Sequence, residues 1–391
     1  MKAFRSSRRI SAIILLATAA FLGGGARGVL ATCGPFTDTA NDSFCQFVLE
    51  IFYLGITTGT SATTYSPGDN VSRLQMGIFL SRTVDSVLKR GSRRAAMDQF
   101  WTTQNATVLG LTTVGTNPEL LKSDGADIWV ANFSGASVSR VRASDGKLLE
   151  TWTGATSAFG VLVAMGRILV TGETSPGNLY MIDPSQAAGA VTTVASNLGA
   201  APYGITFDGA RVWTANLGSS VSIVTPGATI PWTVTTVTTG FSGPIGALYD
   251  GTNVWVTDIN AGTLLKLDSS GAILQTVTVG SGPEFPVFDG TNIWVPNFSS
   301  ASVSVVRASN GAVLQTLTGN GLNQPLAAAF DGQRVLVTNS GSGNSVSLWK
   351  AADLTALGSF ATGASTSPLG ACSDGINFWI ALNTAAKLAR F

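Results

Sequence analysis

The chain has 391 residues, of which only 12% are charged, and it is rich in glycine, threonine, serine and valine. This composition is typical of a β-rich protein with many turns, long enough for one large domain and one small one. The formal net charge is +1, but the first 31 residues hold five basic residues and no acidic ones, so the remainder has 18 basic against 22 acidic residues, a net of −4. That balance excludes a general attraction for nucleic acid.

Residues 1–31 have the pattern of a secretory signal. Basic residues from Lys2 to Arg9 precede an apolar run, Ile10–Leu22, and Val29-Leu30-Ala31 offers small residues for cleavage. The apolar run is short for a membrane span. We therefore predict an exported protein that lies in the cell envelope, in a periplasm or at the cell surface.

The three cysteines suit an oxidising compartment. Cys33 and Cys45 lie close together after the signal and are predicted to form a disulfide, although lipidation of Cys33 within Leu30-Ala31-Thr32-Cys33 is the alternative. Cys372 lies in an apolar strand and is interpreted as a buried, inert thiol rather than a nucleophile.

Residues 33–88 are predicted to form a small helical module. Apolar spacing indicates one helix over Phe44–Leu54 and a second over Leu74–Leu88, with a glycine-containing loop between them. Ser72 and Gln75 are spaced as a capping box at the start of the second helix, in which each side chain accepts a hydrogen bond from the backbone N–H of the other residue.

Four motifs of this module resemble the S-layer homology family: Pro35-Phe-Thr-Asp38, Leu54-Gly-Ile-Thr-Thr-Gly59, Tyr65-Ser-Pro67 and Val71-Ser-Arg-Leu-Gln-Met76. The resemblance implies attachment to cell-wall or envelope polysaccharide, with Arg73 in the binding groove and Asp38 at the aspartate of the first motif. The chain departs from the family in two respects. Gln75 replaces an acidic residue, and one repeat is present where the family usually has three, so a cap or spacer without glycan binding is the alternative.

Residues 89–105 are predicted to be a polar linker. The basic cluster Lys89, Arg90, Arg93 and Arg94 is interpreted as solvated, with contact to an anionic envelope polymer as the alternative. Beyond the linker the whole chain is repetitive.

A nine-residue segment such as Asp208-Gly-Ala-Arg-Val-Trp-Thr-Ala-Asn216 occurs seven times, with starts 39 to 43 residues apart. This period without a helical pattern predicts propeller blades. In one blade we predict strands over Pro202–Phe207, Arg211–Ala215, Val221–Thr225 and Trp232–Thr238. The copies start at Asp124, Met165, Asp208, Asp250, Asp289, Asp331 and Asp374.

The two ends of the repeat region predict how the ring closes. The last copy ends after three strands with Lys387–Phe391, and a spare strand, Ala106–Gly115, resembles the outer strands of complete repeats. The spare strand is expected to complete the last blade, which removes an open sheet edge. We predict an all-β fold: a seven-bladed β-propeller of four-stranded blades over residues 106–391, closed by an N-terminal strand and preceded by the small α-helical module.

The Asp-Gly-x-x-Val-Trp-Val-x-Asn motifs of residues 106–391 resemble the YVTN and NHL-like propellers, a group that includes the streptogramin lyases. The resemblance implies the fold, but streptogramin lyases use a catalytic histidine and this chain has none. The lack of histidine also removes Ser-His and Cys-His nucleophiles and the commonest zinc ligand. No metal site and no cofactor are predicted.

The repeated tryptophans and aspartates are interpreted as structural. Trp129, Trp213, Trp255, Trp294 and Trp379 occupy one position of the second strand, with Leu169 and Leu336 in the other two copies, which favours packing between blades over ligand stacking. The aspartates of the Asp-Gly turns suit turn geometry better than calcium binding.

Functional residues are expected where the repeats differ on one loop face. At the end of the second strand asparagine is the default, and Glu173 and Asp258 depart from it. The loop that enters the innermost strand contributes further candidates. The predicted ligand-binding residues are Glu119, Glu173, Tyr203, Asp258, Glu284 and Phe285, and a solvated rim without a ligand is the alternative.

These features lead to one hypothesis with two competitors. The leading hypothesis is a non-enzymatic, envelope-anchored propeller that binds a protein or a glycan. The first competitor is a lyase or glycan-active hydrolase that uses carboxylates, with Glu284 and Asp258 as candidates. The second is a structural component that assembles laterally.

Overall fold

The computed structural model describes residues 35–39, 45–53, 56–80, 83 and 110–391. The chain divides into two compact units, one ending at Thr102 and the other beginning at Thr103. The predicted signal, Cys33 and the linker 89–105 lie outside the described residues, so the predictions made for them are not tested by the structure.

The first unit has a small aromatic core. Phe36 is fully buried, and its ring centroid lies 5.3 Å from that of Phe52 and 5.7 Å from that of Tyr65. Gly59 has a φ of +78°, and a Cβ there would collide with the Phe36 ring. This loop position therefore requires glycine for both its conformation and its space.

The described parts of the two predicted helices lie near their expected positions, and the predicted end of the second helix, 84–88, lies outside the described residues. The first, α1, spans Cys45–Tyr53, and residues 73–80 are also helical. The capping box is confirmed, because the Ser72 N–H donates to Gln75 Oε1 at 2.8 Å and the Gln75 N–H donates to Ser72 Oγ at 3.2 Å.

The second unit is a seven-bladed β-propeller, as predicted. Its seven sheets each contain four antiparallel strands. The innermost strand of each blade comes first in the chain, except that the outermost strand of blade 7 is the first strand of the unit. The closing strand is β1 (Gly110–Thr113). Blade 1 consists of β2 (Pro118–Ser123), β3 (Asp127–Asn132), β4 (Ser137–Arg142) and β5 (Leu148–Thr153). Blade 2 consists of β6 (Ala158–Ala164), β7 (Arg167–Gly172), β8 (Gly177–Ile182) and β9 (Thr192–Leu198). Blade 3 consists of β10 (Pro202–Phe207), β11 (Val212–Asn216), β12 (Ser220–Thr225) and β13 (Thr233–Val237). Blade 4 consists of β14 (Pro244–Tyr249), β15 (Val254–Asp258), β16 (Thr263–Leu267) and β17 (Ile273–Thr278). Blade 5 consists of β18 (Val287–Phe288), β19 (Asn292–Asn297), β20 (Ser302–Arg307) and β21 (Ala312–Leu317). Blade 6 consists of β22 (Pro325–Phe330), β23 (Arg334–Asn339), β24 (Ser345–Lys350) and β25 (Ala356–Ala361). Blade 7 contains β26 (Pro368–Ser373), β27 (Phe378–Leu382) and β28 (Lys387–Arg390).

The ring closes as the sequence predicted. Strand β1 pairs antiparallel with β28, with Gly110 opposite Arg390 and Thr113 opposite Lys387. The first strand of the propeller thus supplies the outer strand of the last blade. Blade 7 is held by hydrogen bonds between the two ends of the repeat region, so no sheet edge is left at the junction.

The two signature residues of the repeat are bonded to each other. Asp208 Oδ1 accepts hydrogen bonds from the backbone N–H groups of Ala210 and Arg211, while its Oδ2 accepts one from Trp213 Nε1 at 2.7 Å. Both carboxylate oxygens of this turn are therefore committed to the fold. The same Asp–Trp bond, of 2.7 to 2.9 Å, occurs in blades 1, 4, 5 and 7.

The tryptophans pack between blades, as expected. Trp129 of blade 1 is fully buried and shares a core with Val161 and Val170 of blade 2, and Trp255 of blade 4 packs in the same way against Val295 of blade 5. Leu169 and Leu336 fill the corresponding place in the two remaining interfaces. The hydrophobic core is thus a series of seven clusters between neighbouring sheets.

Candidate binding site at the channel mouth

The innermost strands of neighbouring blades approach each other closely around the axis. A Cβ added to Gly160 would collide with the carbonyl oxygen of Tyr203 in the next blade, and one added to Gly246 would lie 2.6 Å from the carbonyl oxygen of Glu284. Glycine is needed at these two positions because the backbones are in contact. The channel that remains holds a cavity of about 50 Å³, which has room for one or two water molecules.

One ring of side chains surrounds the axis at the start of these strands. It consists of the residue that follows the first proline or alanine of each innermost segment: Glu119, Phe159, Tyr203, Ile245, Glu284, Leu326 and Leu369. Phe159, Tyr203, Ile245 and Leu326 pack in one hydrophobic cluster although they come from four blades. We call this ring, together with Glu173 and Phe285, the channel mouth.

Blade 5 departs from the other blades because Pro286, which has no counterpart in them, interrupts its innermost strand. That strand is reduced to Val287–Phe288, and the Phe285 N–H donates instead to the Leu326 carbonyl of blade 6 at 3.0 Å. The Phe285 ring centroid lies 5.9 Å from that of Phe159 in blade 2. Phe285 therefore reaches towards the opposite side of the axis, whereas the sequence indicated only that it belongs to this face.

Three of the four predicted carboxylates act on one phenol at the channel mouth. The Tyr203 hydroxyl donates to Glu173 Oε1 at 2.8 Å. Burial raises the pKa of Tyr203, and the hydrogen bond to Glu173 and the negative charges of Glu173, Glu119 and Glu284 raise it further. The structure thus brings Glu119, Glu173, Tyr203 and Glu284 together.

Glu119 and Glu284 are both buried, but only one of them has a hydrogen-bond partner in the described part of the chain. Glu119 Oε1 accepts from Asn383 Nδ2 at 2.9 Å, whereas no described residue bonds the carboxylate of Glu284, which is 6% exposed. Burial raises the pKa of each carboxyl from 4.5 to about 8, and the charge of Glu173 contributes to the rise at Glu119 against the hydrogen bond from Asn383.

The backbone of Glu284 is held in place by the neighbouring blade. Thr257 Oγ1 of blade 4 donates to the Glu284 carbonyl at 2.7 Å and accepts from the Gly246 N–H at 2.9 Å. The Glu284 N–H donates to the carbonyl of Pro296 at 2.9 Å. Thr257 is fully buried, so its hydroxyl forms a fixed connection between the two blades at this point.

Asp258 differs from its expected position on the open face. Its side chain is fully buried, and its carboxylate accepts hydrogen bonds from the N–H groups of Ser242, Gly243 and Ala261 at 2.7, 3.0 and 3.1 Å. These three donors tie together the loop that enters β14 and the loop that leaves β15, at one end of blade 4. Asp258 is therefore a structural residue of its blade, and we leave it out of the candidate site.

Blade 4, which carries Asp258, lacks a pair of serines that the blades with asparagine at this position have. Asn297 Nδ2 donates to the hydroxyls of Ser302 and Ser304, and the asparagines of blades 1, 3 and 6 make the same pair of bonds. In blade 4 the positions opposite are Thr263 and Leu265. Without the two serine acceptors, a carboxylate bound by backbone donors replaces the amide.

Glu173 is one residue away from its expected place in the repeat. Gly172 pairs with Ala158 as Asn216 pairs with Pro202, so glycine occupies the asparagine position of blade 2. Glu173 corresponds to Leu217 in blade 3, and the N–H groups of both residues donate to the loop before the innermost strand. This next position faces the channel mouth, which is why Glu173 reaches Tyr203.

In the first unit the two predicted glycan-binding residues have different environments. The Asp38 carboxylate accepts hydrogen bonds from the N–H groups of Tyr65 and Ser66, the latter at 2.7 Å, and these bonds lower its pKa. Asp38 thereby closes the loop onto the N-terminal segment. Arg73 is exposed at the start of the helical residues 73–80. A polar cavity of about 600 Å³ lies beside this helix, with Thr60, Tyr65 and Gln75 among its lining residues.

The two described cysteines differ in surroundings. Cys372 is buried, and burial raises the pKa of its thiol to about 12, in agreement with the interpretation as an inert thiol. Cys45 is half-buried and packs against the core of Phe36 and Val48. Its predicted disulfide partner, Cys33, lies outside the described residues, so the disulfide stays a prediction.

Comparison with known proteins identifies the first unit and the fold of the second. Residues 35–76 match the S-layer homology domain. The chain therefore contains one S-layer homology domain. No curated protein matches the chain. Within the described ranges no helix is long and apolar enough to cross a membrane.

The propeller is similar to several solved structures. A streptogramin B lyase is 17% identical with a TM-score of 0.60, the match covering 72% of this chain and 96% of that one. Virginiamycin B lyase from Staphylococcus aureus is 18% identical with a TM-score of 0.62, covering 72% and 98%. Hydrazine synthase from Kuenenia stuttgartiensis is 17% identical with a TM-score of 0.59, covering 74% and 99%. Likeness at this level shows a shared fold alone.

Proposed function

We propose that this protein is exported and held at the cell envelope by its S-layer homology domain, and that its propeller binds a protein or a glycan at the channel mouth. The observation that carries the proposal is the S-layer homology match at residues 35–76, since such a domain implies association with the envelope. The propeller is then the part of the chain that is presented to a ligand.

Arg73 is the residue that we propose for contact with envelope polysaccharide. It is exposed at the start of a helix, and other residues of this segment, among them Val71 and Gln75, line a polar cavity rich in hydroxyl groups. A guanidinium donates several hydrogen bonds in a plane and pairs well with anionic groups of a polymer. We give Asp38 a supporting role, because its carboxylate already accepts hydrogen bonds from two backbone N–H groups of the loop.

Binding to envelope material is tested by sedimentation with isolated cell-wall or envelope polysaccharide. Arg73→Ala is compared with Arg307→Ala, which removes an exposed arginine from the propeller. We expect the first variant to lose about tenfold or more of its retention, which corresponds to one charge-assisted contact, and the second to sediment like the parent. Equal retention of all three proteins would contradict the role of Arg73.

The lack of histidine supports binding over the chemistry of the structural neighbours. A catalytically inactive virginiamycin B lyase, solved with quinupristin, carries a histidine-to-alanine substitution, and the present chain contains no histidine. A lyase mechanism that depends on that side chain is not available to it.

A carboxylate-dependent lyase or glycan hydrolase is the second candidate function. The observation that favours it is the pKa of about 8 of Glu119 and Glu284, which keeps both carboxyls protonated near neutral pH and able to act as general acids. Product formation from envelope glycans that disappears in Glu284→Gln would establish this candidate. Binding of the same glycans without turnover would reject it.

A further inference from the structure

The channel mouth brings together carboxyl groups that have no basic partner. Glu119, Glu173 and Glu284 all raise the pKa of the Tyr203 hydroxyl, so each of them lies within electrostatic range of that hydroxyl. None of them forms an ion pair with a lysine or arginine within residues 110–391. A group of like charges beside a hydrophobic cluster is unfavourable unless protons or a ligand neutralise it.

Glu284 is the clearest sign that a ligand completes this arrangement. Its side chain is more than nine-tenths buried, its carboxylate has no hydrogen-bond partner among the described residues, and its charge acts on Tyr203 across the mouth. Hydrogen bonds at the backbone N–H and carbonyl of Glu284 fix the position of its backbone, from which the side chain extends. Its carboxylate oxygens are not sealed from solvent, so a donor that enters the mouth can reach them and complete their hydrogen bonding.

The walls of the mouth are aromatic and aliphatic. The Phe159 and Tyr203 ring centroids are 4.2 Å apart at an interplanar angle of 61°, and Phe285 closes a third side. Ile245 and Ile259 belong to the same cluster. The alkyl chain of a ligand would pack against such walls, and a positively charged group on that ligand would be attracted to the ring faces as well as to the carboxylates.

The side chains of the channel mouth suit an organic cation better than a metal ion. Calcium and magnesium need about six oxygen ligands, and no group of three or more metal-binding side chains converges in the described part of the chain. An amino sugar is also disfavoured, because its hydroxyl groups would face Phe159, Ile245 and Phe285 without partners. An ammonium on an unbranched alkyl chain satisfies both the carboxylates and the apolar walls.

We propose that the channel mouth binds an alkylammonium group, of the kind found at the end of a lysine side chain or on a free alkylamine, with Glu284 and Glu119 as its counter-ions and Phe159, Tyr203 and Phe285 as its walls. The inference rests on the proposed function only in taking this face as the binding face. It names the chemistry of the ligand group that the face accepts.

Isothermal titration calorimetry of the purified protein tests the inference directly. The probes are n-butylammonium chloride and Nα-acetyl-lysine amide, with n-butanol, glucosamine and sodium chloride as controls at constant ionic strength. We expect saturable binding of the two alkylammonium probes and none of the controls. Tighter binding of the lysine derivative would point to a protein side chain as the source, and tighter binding of the simple amine to a free small molecule.

Variants then locate the binding site. Glu284→Gln and Glu119→Gln should each weaken n-butylammonium binding by about tenfold or more, and Glu284→Gln should reduce the number of protons released on binding. Glu150→Gln, which removes a charge from the outer strand of blade 1, should leave the affinity unchanged. Circular dichroism of each variant checks that the propeller is folded.

The inference is overturned if the parent protein binds n-butylammonium no better than n-butanol, or if the two mouth variants bind it as well as Glu150→Gln does. These outcomes are separate from those of the sedimentation test. Loss of amine binding with intact retention on envelope material would remove the ligand class and leave the anchoring, whereas the reverse result would remove the anchoring alone.

Discussion

The buried carboxyl of Glu284 should make the stability of the propeller depend on pH in a way that one substitution removes. Its pKa is raised from 4.5 to about 8 in the folded protein. A raised pKa of the folded state means that the stability contributed by the protonated form is complete below about pH 4.5 and is lost as the pH rises through 8. Glutamine does not titrate, so Glu284→Gln should resist this loss.

The expected size follows from the shift. Each pKa unit corresponds to about 1.4 kcal/mol, so a rise from 4.5 to about 8 sets an upper limit of about 5 kcal/mol. Relaxation of the channel mouth and entry of water reduce the effect, and we expect Glu284→Gln to be about 2 to 5 kcal/mol more stable than the parent at pH 9. At pH 5 the two proteins should agree within about 1 kcal/mol, because the parent carboxyl is then protonated and similar to the amide.

Urea unfolding at pH 5, 7 and 9, followed by tryptophan fluorescence, measures the difference. Glu119, Glu173 and Tyr203 face the same space, and Glu119 titrates in the same window, so Glu119→Gln should act similarly. Glu150→Gln is the control, since it removes a half-buried carboxylate that pairs with an arginine away from the mouth. If Glu284→Gln changes the free energy of unfolding equally at pH 5 and pH 9, the carboxyl is not titrating as the structure implies.

Four further substitutions test the geometry of the propeller, each by thermal unfolding against the parent. Asp258→Asn should destabilise it by about 1 to 3 kcal/mol, because the amide NH₂ would face backbone N–H donors; an unchanged melting temperature would contradict the structural role. Thr257→Val and Thr338→Val each remove a buried hydroxyl that bridges two blades and should cost about 1 to 3 kcal/mol, yet only the first should weaken n-butylammonium binding. Trp255→Phe should cost about 2 to 4 kcal/mol, because it removes indole volume and leaves Asp250 Oδ2 without its donor; a loss below about 1 kcal/mol would mean that this bond contributes little.

The repeat predicted the fold in detail because each blade contains its own turn and core signals. The Asp-Gly turn fixes where the second strand begins, and the tryptophan five residues after the aspartate both closes that turn and packs on the next blade. In blade 3 the predicted first strand, Pro202–Phe207, has the observed bounds, and the other three are within two residues of them. Closure was predictable because a missing strand at one end matched a spare strand at the other.

The predicted position of Glu173 within the repeat was wrong because one copy of the repeat is shorter. Met165-Gly166 forms a tight turn in which both residues have positive φ, in place of the wider Asp-Gly turn. Counting from the start of the copy therefore moves the second strand by one residue. In a β-strand such a shift exchanges the two faces, so the strand pairing was needed to place Gly172 in the blade and Glu173 at the mouth.

Asp258 shows why a departure from the repeat is not sufficient evidence of function. The change from asparagine is accompanied, in the same blade, by loss of the two serines that bond the amide elsewhere. The serine pattern was visible in the sequence, but its meaning depended on knowing that the strand pairing places these residues side by side. The carboxylate instead bonds three backbone N–H groups, which no sequence pattern indicates.

Glu284 also departs from the residue that other blades have at its position, but, unlike Asp258, it has no compensating change in its own blade. The equivalent ring positions in blades 6 and 7 hold Leu326 and Leu369, so the fold accepts an aliphatic side chain there. A buried carboxyl with a pKa of about 8 and no described partner lowers stability above that pH where leucine would not. Local features that lower stability without structural compensation are expected at functional sites. Glu119 is also buried, at the equivalent position of blade 1, but its carboxylate accepts a hydrogen bond from Asn383. Both glutamates differ from the conspicuous aspartates of the repeat, whose carboxylates are used by the turns.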